Sequence, residues 1–403
     1  MPYRPDRQLV SVHAARAILA VHGEPVSRTE RVAVEDAAGR VLAGDLVARR
    51  DVPPFARAMM DGYAVRAGDT EGASPGRPVT LRLCGAVYAG HAPAAEVGPG
   101  QCMTIATGAP VPPGADAVAI VEDSTREGDL VAIRQRVAPR QHVGRAGSDL
   151  VAGETAVVAG TVLTPARIGV AAALGLDTLE VVARPRVAIL STGDEIVAPG
   201  ASPGPAQIFD SNTAALASAV RLHGGEPVVA PRTGDDAEAL DAAFSRCLDE
   251  DLVLFSGGTS VGERDYLLDV IAARGAVHFE GLLLKPGRPT VFATVAGRPV
   301  FGMPGNPVSC LTNMYLLVAP LLRRMARLPP APTRRVVAAL REPVRSPAGR
   351  HQIYPVRLER AEAVPVFKGS GEITSLAHAD GYFEIEAGVE HVEAGTAVEV
   401  TLF

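Results

Sequence analysis

Between residues 186 and 327, short apolar runs alternate with helical stretches, and this order restricts the fold more than any other feature of the chain. Residues 187–190 read as a buried strand. A helix over 212–223 follows, capped by Asp210 or Ser211 and stopped by Gly224-Gly225. Next come a strand at 227–230 and a helix over 237–248 with Asp235 or Asp236 at its cap. Further strands are expected at 252–255, 277–279, 291–294 and 300–302, with helices over 264–273 and 307–327. Alternation of this kind predicts an open, mainly parallel sheet covered on both faces.

The flanking segments have a different texture. Residues 11–46 predict helix, because Val12, Ala15, Ile18, Leu19 and Leu42 recur at helical spacing. Residues 47–145 break into short β-branched runs between glycines and prolines, clearest at 79–83 and 116–121, with a hairpin signal at Arg126-Glu127-Gly128-Asp129. Helix returns over 165–175, where Pro165 suits a first turn. An all-β insert between two helical pieces predicts a discontinuous first domain. After Pro329-Pro330 comes a β-rich tail. The expected fold class is α/β multidomain: an open, mainly parallel α/β sheet domain, a mixed α/β first domain, a β-rich inserted domain and a β-rich C-terminal domain. The boundaries are 1–46 with 146–183, then 47–145, 184–328 and 329–403.

At 403 residues and 47% hydrophobic, the chain can bury several cores. A net charge of −6 argues against a broad nucleic-acid-binding face but allows a local basic pocket. Cys84, Cys102, Cys247 and Cys310 lie far apart, as reduced core residues of a cytoplasmic protein without structural zinc do. Residues 1–10 are polar and charged, with no apolar export signal, and no run is long enough to span a bilayer. Neither nucleic acid nor membrane is an expected partner.

Open parallel sheets bind ligands beyond the carboxyl ends of their strands. Four polar, glycine-containing loops fall there: Ser191-Thr192-Gly193-Asp194-Glu195, Thr233-Gly234-Asp235-Asp236, the stretch from Ser256-Gly257-Gly258 to Asp265, and Gly302-Met303-Pro304-Gly305-Asn306-Pro307. Three carry carboxylates beside glycines, a combination that suits a hydrated magnesium bridging phosphate oxygens. Glycines let backbone N–H groups approach phosphate. A single such loop would be weak, because Gly-Asp also makes ordinary turns. The glycine orders match neither a Walker loop nor a dinucleotide fingerprint. Only two lysines occur, although lysine and arginine together number 39. Lys285 stands where an apolar run ends in Lys285-Pro286-Gly287-Arg288-Pro289, and its compact ammonium suits a tight oxyanion site better than a guanidinium would. Lys368 reads as ordinary surface.

Five strings carry a family resemblance in order along nearly the whole chain. They are Ala58-Met59-Met60-Asp61-Gly62-Tyr63-Ala64, Ile189-Leu190-Ser191-Thr192-Gly193-Asp194-Glu195, Ser256-Gly257-Gly258-Thr259-Ser260-Val261-Gly262, Lys285-Pro286-Gly287-Arg288-Pro289 and Pro304-Gly305-Asn306-Pro307-Val308-Ser309. Together they resemble the molybdopterin molybdenumtransferase family, MoeA and the E domain of gephyrin. The resemblance implies four domains, a homodimer, and magnesium-assisted insertion of molybdate into adenylylated molybdopterin with release of AMP. It implies catalytic roles for Asp61, Thr107, Asp149, Glu195, Asp235 and Asp265, with Glu195 and Asp265 holding the metal. An oxyanion pocket of Lys285, Ser309, Arg350 and Ser375 is likewise implied, with Arg288, Pro304, Gly305 and Asn306 beside it. The bland readings are that Asp61 holds a turn, Asp149 is a solvated acid and Ser309 caps a helix.

Two positions depart from the family pattern. Ala56-Arg57-Ala58 replaces a more polar triplet, and Gly281 stands where relatives carry a basic residue, leaving Arg288 to supply part of the phosphate grip. Two other readings stand beside this one: molybdopterin adenylylation, which the sheet domain alone resembles but the extra domains weigh against, and a catalytically silent gephyrin-like scaffold, against which Glu195, Asp265 and Lys285 argue. A molybdopterin adenylyltransferase is a candidate protein partner. Molybdate and tungstate, nearly equal in size and charge, both suit such a pocket.

Overall fold

The computed structural model describes residues 9–234, 237–257 and 266–403. They form two compact units, one of residues 31–181 and one that joins the preceding segment to residues 182–403.

In the second unit, six strands make one sheet: β1 (Arg186–Ser191), β2 (Glu226–Val229), β3 (Leu252–Ser256), β4 (Gly275–Phe279), β5 (Val291–Val295) and β6 (Arg298–Met303). Their order is β2-β1-β3-β6-β5-β4. β2, β1, β3 and β6 pair in parallel, whereas β5 is antiparallel to both its neighbours. β5 and β6 are joined by the tight Ala296-Gly297 turn, too short for the crossover a parallel pair needs. The sheet is therefore mixed at one side and parallel where the glycine loops emerge.

Side-chain alternation along β1 separates two cores. Val187 and Ile189 face Leu216, Val220, Leu317 and Leu322, whereas Ala188 and Leu190 face Leu240, Phe244 and Ile271. Both faces are covered, as the near-continuous apolar runs require. Asp210, not Ser211, caps the helix Ser211–Leu222, accepting the Thr213 N–H at 2.9 Å. The expected cap at Asp235 or Asp236 lies outside the described residues. The expected helix over 307–327 is interrupted by a π turn, Met314–Val318, just ahead of Pro320, which cannot donate to the preceding turn.

The N-terminal segment departs from expectation. Helix covers only Val12–Ala20, and Thr29–Ala33 is a strand. Ala15 and Leu19 pack into the sheet's first core, and the Arg324 guanidinium caps the helix through the carbonyls of Leu19 and Ala20 at 2.8 and 2.6 Å. A helix of nine residues has too little apolar face to fold alone, so tertiary packing decides where it docks.

The tail closes into a small barrel. Its strands are His351–Glu359, Glu362–Pro365, Arg335–Leu340, Ala397–Leu402 and Gly381–Ile385, the last pairing back to the first. A two-residue strand, Leu284–Lys285, pairs in parallel with His351 and Gln352 and ties the barrel to the sheet domain. His351 Nε2 lies 2.7 Å from Glu384. That hydrogen bond, with the attraction of Glu384 and Glu386, raises the His351 pKa above its ordinary 6.5 despite burial. His351 in turn holds Glu384 below its ordinary 4.5. The raised group contributes fully below pH 6.5 and is lost as pH climbs through its folded value. The depressed one contributes fully above pH 4.5 and is lost as pH falls. Stability measured by denaturant titration should therefore plateau between these values and decline by about 1 kcal/mol on the alkaline side. His351→Gln should abolish that decline; an unchanged pH profile would rule the pair out as its source.

The first unit contains a six-stranded sheet in the order Ala117–Ile120, Gly62–Val65, Gln101–Ile105, Val79–Val87, Leu130–Ile133, Ser124–Glu127. The expected hairpin forms between its last two strands. A smaller core gathers Leu42, Leu163, Ala171, Leu179 and Val181 around the helix Pro165–Ala173. All four cysteines are free, and burial pushes the Cys310 thiol up to about 12.

Candidate active site

A cleft of about 900 Å³ opens at the carboxyl ends of β1, β3 and β6 and extends to the tail barrel. Its floor is backbone. Gly257 has φ +101°, and a Cβ there would lie 2.5 Å from the Thr192 carbonyl oxygen, so only glycine fits. A Cβ on Gly305 would lie 4.0 Å from the Gly257 Cα, so the loops after β3 and β6 approach through their glycines. Asn212, on the first turn of its helix, donates through Nδ2 to the Gly305 carbonyl at 2.8 Å and holds that loop in place.

The cationic wall is built by long-range pairing. Leu284–Lys285 runs beside His351 and Gln352, which brings Lys285 and Arg350 onto one cleft with Arg288 and Lys368. Among the described residues the acidic side chains lining it are Glu195 and Asp210. Asp210 is occupied, one oxygen accepting the Thr213 N–H and the other its hydroxyl. None of the four cations is in an ion pair among the described residues. In a chain of net charge −6, four uncompensated positive groups in one cleft mark a site for a polyanion.

The Lys285-Arg288 loop rests on a buried support that sequence reading missed. Asn313 donates to the Gly287 carbonyl at 2.9 Å and to the Thr290 hydroxyl, which itself donates to Gly287 at 2.9 Å. Asn313 and Thr290 are fully buried. Their positions, on an apolar helix and past a proline, gave no local signal of this role.

Other expected residues are placed as follows. Ser191, Thr192, Ser256, Gly257, Pro304, Gly305, Asn306 and Ser309 line the cleft. Ser309 does not cap its helix; Asn306 occupies the cap position, with its amide donating to Ser370 Oγ at 2.9 Å. Ser375 stands behind the wall, fully buried, where its hydroxyl accepts the Lys368 backbone N–H at 3.0 Å. The Glu195 carboxylate folds over Gly193, whose added Cβ would sit 2.5 Å from Oε2. Gly281 carries no cation because the N-terminal segment covers it: its carbonyl accepts the Val10 N–H at 3.0 Å, and a Cβ would meet Leu9 at 2.5 Å. Lys368, read as ordinary surface, is exposed and also lines the cleft. Asp235, Gly258 and Asp265 lie outside the described residues.

Within the first unit, Asp61 and Thr107 are brought together. One Asp61 oxygen accepts the Thr107 N–H at 2.7 Å and its hydroxyl at 2.9 Å, and these bonds, the backbone one foremost, hold the Asp61 carboxyl below its ordinary pKa. Asp149 is exposed on a loop whose backbone bonds to Val52.

Comparison with known proteins agrees with this architecture. Residues 10–175 match the MoeA N-terminal region (domain I and II), 188–324 a probable molybdopterin binding domain, and 337–403 the MoeA C-terminal region (domain IV). Molybdopterin molybdenumtransferase 2 of Mycobacterium tuberculosis is 39% identical over 379 residues, covering 92% of this chain and 94% of the relative. The chain belongs to the molybdopterin molybdenumtransferase (MoeA) family. The Nostoc molybdopterin molybdenumtransferase is 36% identical over 74% of this chain and 70% of its own length. The crystal structure of the molybdopterin biosynthesis MoeA protein from Pyrococcus horikoshii superposes with a TM-score of 0.85 at 39% identity, covering 98% of this chain and 99% of that one. The three matched regions thus span the elements that build the cleft and those that carry Asp61 and Thr107. No helix among the described residues is long and apolar enough to cross a membrane.

Proposed function

We propose that this chain transfers molybdate to molybdopterin delivered as its adenylylated form, with release of AMP. The observation that carries this reading is the convergence of Lys285, Arg288, Arg350 and Lys368, without carboxylate partners among the described residues, on one glycine-floored cleft. Molybdate and the pterin's phosphates are both multiply charged oxyanions, and fixed cations bind them without reorganisation as charge shifts during P–O cleavage. Backbone N–H groups of the glycine loops and the amino end of the helix Pro307–Asn313 add favourable partial charge.

Magnesium fits this site as a shared ion. Among the described residues no three His, Cys, Asp or Glu side chains gather into a protein-only metal site, and of the two lining carboxylates Asp210 is occupied by Thr213 whereas Glu195 has no hydrogen-bond partner there. A single carboxylate with substrate oxygens and water is an ordinary magnesium shell, and the ion would neutralise charge on the phosphate. Glu195 would hold it, and Asp265 is proposed as its second carboxylate. Asp61, with Thr107, is proposed to act in the same reaction, in a homodimeric, cytoplasmic enzyme.

The test is incubation of the purified protein with adenylylated molybdopterin, molybdate and magnesium, following AMP and molybdenum-loaded pterin together. Both should appear in equal amounts. Glu195→Gln should lower AMP release about 100-fold while leaving molybdate binding intact. Full turnover by this variant would remove Glu195 from the chemistry, and absence of both products from the wild type would overturn the proposed reaction.

A further inference from the structure

Both lysines of this arginine-rich chain line the same cleft, although they are 83 positions apart in sequence and only Lys285 falls in a recognisable motif. Lys368 sits between the barrel strand Glu362–Pro365 and the short helix Thr374–Ala377. A lysine on a loose loop would be solvated surface; this one is on a segment held at several points. The Lys368 N–H donates to the fully buried Ser375 hydroxyl at 3.0 Å. Two residues on, the Ser370 carbonyl accepts the Val308 N–H at 3.1 Å, and its hydroxyl accepts from Asn306 at 2.9 Å. The segment is thereby fastened to the loop after β6, at the cleft's edge.

The ammonium itself is not neutralised. Its polar partner is the Thr374 hydroxyl at 3.3 Å, a long and uncharged contact, and no carboxylate pairs with it among the described residues. A backbone held beneath an unpaired cation suits a binding group, since only the side chain itself remains to be ordered when an anion arrives. We propose that Lys368 is a second ammonium contact, alongside Lys285, for a tetrahedral oxyanion bound in the cleft. The naming of that anion rests on the molybdate-transfer reading: it is either molybdate or a phosphate of the adenylylated pterin. Ser375 is then a positioning residue that acts through the Lys368 backbone.

The full-length protein should be titrated by calorimetry with molybdate alone and with AMP alone, in the wild type, Lys368→Gln and Lys368→Arg. Lys368→Gln should weaken one probe about tenfold, and Lys368→Arg should retain most of the affinity, because charge matters more than shape at an exposed contact. The probe that weakens identifies the source of the anion. A melting curve for each variant confirms the fold, and Lys368→Ala repeats the test should the glutamine variant misfold. Unchanged affinity for both probes, or no binding of either by the wild type, would overturn the assignment. If binding depends on Lys368 yet the wild type inserts no molybdenum, the transfer reading falls and the anion contact stands. If Lys368→Gln inserts molybdenum with both affinities intact, the reverse holds.

Discussion

Lys285→Ala is expected to lower molybdenum insertion about 100-fold while leaving the melting transition nearly unchanged. The side chain is half-buried at the end of Leu284–Lys285, and it has no ion pair among the described residues, so its removal leaves no orphaned partner in the fold. Its lost contribution appears only with substrate. A charge-assisted hydrogen bond to an oxyanion is worth about 1.5–3 kcal/mol, which brackets a hundredfold change. Lys285→Arg should not restore activity. The backbone there is fixed by pairing with Gln352 and by the supported Gly287 turn, so a broad planar fork cannot reproduce the position of a compact ammonium. Rates measured across molybdate concentrations would separate weakened binding from lost turnover. Wild-type activity in Lys285→Ala would place the oxyanion elsewhere.

Gly287→Ala should cost about 3 kcal/mol of stability in the sheet-and-barrel unit, and most of the activity with it. Gly287 has φ +114°, a region that side chains rarely occupy, and an added Cβ would fall 2.5 Å from Asn313 Oδ1. The Asn313 amide cannot retreat: it is fully buried and holds the Gly287 carbonyl and the Thr290 hydroxyl. Backbone strain and overpacking each cost roughly 1–3 kcal/mol. Asn313→Ala should relieve the clash in the double variant but leave the Gly287 carbonyl with the Thr290 hydroxyl as its one remaining side-chain donor, so the two effects should be non-additive. Denaturant titrations of the four proteins measure the coupling. Simple additivity would show that the loop does not rest on Asn313.

Much of the sheet domain was legible in the sequence. Runs such as 187–190 and 252–255 are apolar on both faces because both faces are covered, and the glycine loops follow their ends because backbone must approach ligand there. The helix over 11–46 was misjudged because five spaced apolar residues also suit a short helix followed by a strand. Gly23 and Pro25, which intervene, mark the break. That the exposed Lys368 also lines the cleft was not legible, because its flanking residues carry no periodic pattern and its loop is held by Ser375 and Ser370.

What the sequence determined by itself was local: which stretches are strands or helices, which loops are bare enough to meet a ligand, and a lysine kept in a Pro-Gly turn. Spacing encodes such features because it sets which faces of an element are apolar. The tertiary structure alone decided which distant parts share the cleft. Leu284–Lys285 is two residues long, too short for any periodicity, yet its pairing with His351 and Gln352 delivers the barrel's Arg350 and Lys368 to the sheet's edge. A strand that short is selected by the edge it pairs with, and no neighbouring residue records that choice.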